Sequence, residues 1–123
     1  MPDFSFLLLH VEDHAASAAF YHELLGLPVL DQRPGFAMLP LRDGVMLGLW
    51  GRETVEPKSS GQSGASEIAF AVTDADAVET MYVDWKRRGL TILQAPTRMS
   101  FGMTFVALDP DGHRLRVFAP GAA

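Results

Sequence analysis

Along Glu67–Thr73 every second residue, Ile68, Phe70 and Val72, is apolar, which is the period of a strand with one buried face. Beyond it the period changes: Val78, Met81, Tyr82 and Trp85 recur at i, i+3, i+4 and i+7, a helix closed by Gly89. Asp76 and Glu79 have the spacing of a capping box at its start. A short strand at Thr91–Ala95 follows, then Phe101–Leu108, the turn Asp109-Pro110-Asp111-Gly112 and a last strand at His113–Ala119. The first half shows the same order. Phe4–Val11 is an apolar run of strand length; Asp13 caps a helix at Ala15–Leu25; Ala16, Phe20, Leu24 and Leu27 mark its expected inner stripe, and Gly26 ends it. A short strand at Pro28–Asp31 and a hairpin joining Phe36–Leu41 to Val45–Trp50 through Asp43-Gly44 complete it.

The two hairpins are copies. At an offset of 68 residues Gly44 meets Gly112, Leu47 meets Leu115, Leu49 meets Val117 and Trp50 meets Phe118. The chain thus reads as one domain, 1–123, of two βαβββ modules, 1–51 and 67–119, joined by a polar Gly/Ser/Pro-containing linker at 52–66.

Composition narrows the partners. A formal net charge of -5 without a run of lysine or arginine disfavours nucleic acid and anionic membranes. The absence of cysteine removes disulfides, thiolate metal sites and cysteine nucleophiles. No apolar run approaches a membrane span, and Met1-Pro2-Asp3 does not begin a secretory signal, so the expected location is the cytoplasm.

The segments VEDHAASAAFYHELLGLPVL, EIAFAVTDAD and FVALDPDGHRLRVFAP together resemble the vicinal oxygen chelate superfamily, the glyoxalase, bleomycin-resistance and extradiol-dioxygenase group. The resemblance implies an α+β fold in which paired βαβββ modules form a U-shaped mixed sheet around a cavity, with helices on the outer face, usually in a homodimer. Metal-dependent members place one ligand on the first strand and one on the last strand of each module. Those positions map here to Phe6, Gly48, Glu67 and Arg116. A divalent ion needs His, Asp or Glu donors at such places, and phenylalanine, glycine and arginine supply none. No metal, cofactor or catalytic residue is therefore expected, and Glu67 facing Arg116 reads as a charge pair.

Alternation carries this further. If those positions face the cavity, residues two away on each strand do so as well, among them His10, Met46, Trp50, Arg114 and Phe118, while Leu7, Leu9, Leu47, Leu49, Ile68, Leu115 and Val117 face the helices. The expected ligand-binding set is Trp50, Phe6, His10, Met46, Gly48, Glu67, Arg116, Phe101 and Phe118, with Gly48 leaving room and Trp50 a flat wall. Most members have a plainer reading: Trp50 packing beneath the linker, Phe6 and Met46 in a core, His10 simply hydrogen-bonded, Glu67–Arg116 a structural pair. His14, His22 and His113 are expected to be solvated.

The resemblance is strongest to the antibiotic-binding branch, which includes phenazine and bleomycin resistance proteins. It implies metal-independent sequestration of a planar aromatic small molecule by a homodimer. The alternative is a metal-dependent glyoxalase-like lyase or isomerase, or a dioxygenase. The ligand's identity, and whether a cavity is built within one chain or across two, stay open at this point.

Overall fold

The computed structural model describes residues 2–62 and 66–121; Met1, positions 63–65 of the expected linker and the last two residues lie outside it. The chain divides into two compact units, Met1–Ser63 and Gly64–Ala123.

In the first unit, β1 (Phe6–Val11) is followed by α1 (His14–Leu25), β2 (Asp31–Arg33), β3 (Phe36–Arg42) and β4 (Val45–Gly51). The strands form a mixed sheet in the order β1-β4-β3-β2, with β1 parallel to β4 and the other pairs antiparallel. Asp13 caps α1 as its side chain accepts from the Ala15 and Ala16 amides, each at 3.1 Å. Gly26 ends the helix in the left-handed region, its amide donating to His22 O. One buried layer lies between α1 and the sheet: Leu9, Val11, Leu39, Leu47 and Leu49 from the strands, Ser17, Ala18 and Tyr21 from the helix.

The helix face differs from the expected stripe. Ala16 is exposed and Phe20 only half-buried, whereas Ser17, Ala18 and Tyr21 are buried. The sequence HAASAAFYHELL is apolar on nearly every side, so the period singles out no face. Small Ser17 and Ala18 allow the helix axis to approach the sheet, and Tyr21 fills the space beside them.

The second unit runs β5 (Glu67–Ala71), α2 (Ala75–Arg87), β6 (Thr91–Met99), β7 (Gly102–Leu108) and β8 (Arg114–Pro120), in a sheet ordered β5-β8-β7-β6. The cap of α2 is Asp74, which accepts from the Ala77 amide at 2.8 Å; Asp76 lies in the first turn, two residues later than a capping box would need. Val78 and Trp85 are buried as the periodicity predicts, and Trp85 meets Phe105 and Phe70 edge to face. β6 runs on to Met99, past the expected end at Ala95. Its register shifts between Gln94 and Thr97 accommodate Pro96, which an edge strand tolerates.

β2 also lies later than expected, at Asp31–Arg33, because the strand forms where it pairs with Phe36–Met38. Residues 52–62 are bound back to the first unit. A 3-10 turn at Arg52–Thr54 opens the segment, Arg52 reaches Gly61 O at 2.9 Å, and Ser59 Oγ lies 2.7 Å from His10 Nδ1. No helix among the described residues is long and apolar enough to cross a membrane.

Candidate functional site

Alternation places a second set of side chains on the sheet face away from each helix. In the first unit this face is partly open: Phe6 and Leu8 are exposed, while His10, Met46 and Trp50 are half-buried. The strand register sets them in rows, since directly paired residues share a face. One row is Arg33–Phe36–Trp50–His10, with one residue from each strand, β2, β3, β4 and β1. Trp50 has Phe36 and His10 on either side, ring centroids 6.4 and 6.3 Å away and planes nearly perpendicular. The next row is Asp31–Met38–Gly48–Leu8.

Phe6, Leu8, Arg33, Phe36 and Trp50 line a cavity of about 360 Å³ on this face. Of the expected residues, Phe6 and Trp50 are walls. His10 and Met46 flank the cavity without lining it; His10 is engaged by Ser59, and Met46 lies beside Phe6 on the neighbouring strand. Gly48 does not leave open room. A Cβ there would stand 2.5 Å from Leu8 Cδ2 and 3.2 Å from the Phe36 ring, so the space it frees is filled by those two side chains. Leu8 belongs to the face foreseen from alternation. Phe36 and Arg33 were missed, Phe36 because the run Phe36–Leu41 is apolar at every position and so does not reveal which residues face inward, Arg33 because it lies past the expected end of the short strand at Asp31.

In the second unit Glu67, Phe101, Arg116 and Phe118 line a cavity of about 460 Å³. The expected charge pair is bidentate: Arg116 Nε and Nη2 donate to the two oxygens of Glu67, each at 3.1 Å, while Nη1 donates to Thr104 Oγ1 at 3.2 Å. Arg114 lies 3.6 Å from the same carboxylate. The hydrogen bond from Arg116, and then the charges of Arg116 and Arg114, hold the Glu67 carboxyl below its ordinary value despite an opposing effect of burial. The Arg116 guanidinium lies 5.8 Å from the Phe101 ring centre, and Phe101 meets Phe118 edge to face. Phe105 does not line this cavity; it is fully buried beneath α2 against Trp85 and Tyr82.

His113 is another correction: it is buried rather than solvated. Asp109 Oδ1 accepts from the Asp111 and His113 amides and Oδ2 pairs with His113 Nδ1 at 2.9 Å, so the carboxylate stitches the β7–β8 turn together. The motif Asp-Pro-Asp-Gly-His carried that signal, but a histidine one residue past a turn glycine reads as surface by default.

The donor set at the four family positions does not suit a divalent cation. Phe6 and Gly48 have no donor atom, and both Glu67 oxygens already accept from Arg116.

The family model described as Glyoxalase/Bleomycin resistance protein/Dioxygenase superfamily matches residues 4–117. The chain belongs to this superfamily. Two curated superfamily relatives are similar across most of their length. EhpR of Enterobacter agglomerans, a phenazine antibiotic resistance protein, is 26% identical over 89% of this chain and 86% of its own. FosA of Serratia marcescens, a glutathione transferase, is 33% identical over 90% of this chain and 76% of its own. The solution NMR structure of a protein from Agrobacterium tumefaciens, 43% identical, superposes over 99% of this chain and 100% of that one with a TM-score of 0.88. The chain shares its fold with the Agrobacterium protein, and the two curated relatives differ between drug resistance and group transfer.

Proposed function

We propose that this chain is a metal-independent binding protein that sequesters a planar, partly aromatic small molecule, an antibiotic of the kind named for its relative EhpR. The observation that carries this reading is the cavity walled by Phe6, Leu8, Phe36 and Trp50: four apolar side chains, three of them aromatic, on an otherwise open sheet face. Flat rings gain both apolar burial and offset or edge-on contacts there. Glu67, Arg116, Phe101 and Phe118 form the second part of the ligand-binding set, supplying charge beside two rings; His10 and Met46 border the first. Sequestration needs tight stoichiometric binding and no reacting group. The working unit in this reading is a homodimer, supported by the exposed apolar side chains of Phe4, Leu30 and Leu93.

Tryptophan fluorescence titration against planar antibiotics, phenazines first, tests the proposal. The protein should run as a dimer in light scattering, and its emission should quench saturably as ligand covers Trp50; Trp85, buried in the α2 layer, contributes a constant background. By calorimetry Trp50→Ala should bind about tenfold or more weakly, the scale of a central aromatic contact. Unchanged affinity in that variant would remove Trp50 from the site. The similarity to FosA favours a second reading, a metal-dependent glyoxalase-like or transferase enzyme. Stoichiometric zinc, nickel, manganese or iron in the purified protein would support that reading instead.

A further inference from the structure

Arg33 is the only charged side chain among those lining the first unit's cavity. It ends the row Arg33–Phe36–Trp50–His10, and the opposite end is polar too, closed by the His10–Ser59 hydrogen bond. Three inter-strand steps of about 4.8 Å place the two ends about 14 Å apart, with two aromatic rings between them. A fused-ring plane laid along this row meets rings in its middle, a cation at one end and an imidazole–hydroxyl pair at the other.

We propose that Arg33 is a specificity-determining residue that selects ring systems bearing an anionic substituent, such as a carboxylate, at the β2 end of the row. This inference rests on the ligand class proposed above and deepens it. Asp31, two residues earlier on the same face of β2, accepts from Arg33 Nη2 and is the Arg33 side chain's one hydrogen-bond partner among the described residues. Four further N–H donors of the fork remain for a ligand, and a planar fork matches a carboxylate's two oxygens. The Arg33 side chain is 67% exposed, so the arriving anion need not displace a buried partner, and the contact adds selectivity more than affinity. Asp31 acts as a positioning residue, keeping the guanidinium beside the Phe36 edge of the cavity.

The test compares phenazine-1-carboxylate with phenazine-1-carboxamide, which share a ring plane and nearly a size, by calorimetry at neutral pH. Wild-type protein should prefer the carboxylate by about fivefold, the scale of one exposed charge-assisted contact. In Arg33→Gln the ratio should collapse to near one, and Arg33→Lys should keep part of it, since the charge stays but the fork is lost. Equal affinities in the wild type overturn the inference alone. So does a preference that survives Arg33→Gln, which would make the arginine stem a mere cover over Phe36. If neither compound binds, the ligand class falls, and this inference with it.

Discussion

Gly48 shows how one missing Cβ shapes the site without emptying it. Leu8 and Phe36 lean into the space above it, and both line the cavity. Gly48→Ala would push the far end of Leu8 and the edge of Phe36 outward. Both can yield, so stability should change by no more than about 1 kcal/mol in chemical denaturation. Ligand affinity should nevertheless fall, because the walls move; full retention of affinity in the titration would show that those walls do not contact ligand. Glu67 makes a different kind of prediction. Its folded-state carboxyl titrates below its ordinary value, chiefly because Arg116 donates to it. A lowered folded value means that the pair's contribution is present above the unfolded value and is lost as pH falls through the folded one. Because the carboxylate is exposed, that contribution to stability is small and screened by salt. The side-chain NMR midpoint of Glu67 should therefore lie below that of a glutamate in a short peptide, and Arg116→Gln should raise it. A midpoint that Arg116→Gln leaves in place would assign the shift to another cause.

At the scale of elements, α1 separates propensity from packing. Its existence and both ends followed from Asp13, the apolar content and Gly26, while its inward face did not, since alanines occupy the side turned to solvent as well and Phe20 is only half-buried. The buried face predicts a contrast. Ala18→Leu forces a larger side chain between helix and sheet and should cost about 1–3 kcal/mol. Ala16→Leu, on the exposed side, should stay within about 0.5 kcal/mol. Urea unfolding of both variants checks it, and equal effects would place the helix in a different rotation. β2 and β6 teach the same lesson about boundaries: pairing with β3 set the first, and an edge position that tolerates Pro96 lengthened the second. Misplacing β2 had a cost at the site, since it hid Arg33, which pairs with Phe36 and so joins the aromatic row.

Across the whole molecule, the repeated βαβββ order and the sorting of strand residues between two faces were legible, because both rest on periodicities that survive without tertiary information. The helix-facing list was buried nearly throughout, and the opposite list formed the open faces. What periodicity left out were side-chain partnerships: Ser59 reaching His10 from a segment of low apolar content, and Asp109 drawing His113 inside. These depend on where a loop or turn closes in space, for which composition carries no signal. The charge pair Glu67–Arg116 was accessible only because family positions suggested that the two side chains meet.

Leu8 and Leu9 are neighbours in the chain, yet one walls the hollow and the other belongs to the interior; so it is with Trp50 and Leu49. Strands β1, β3 and β4 carry both kinds of residue in turn, which leaves the chain free to vary the two independently. Selection for a new ligand can rewrite positions 8, 36 and 50 while 9, 37 and 49 keep the scaffold unchanged. If the proposed ligand binding holds, such interleaving lets the chain change its guest without changing its shape.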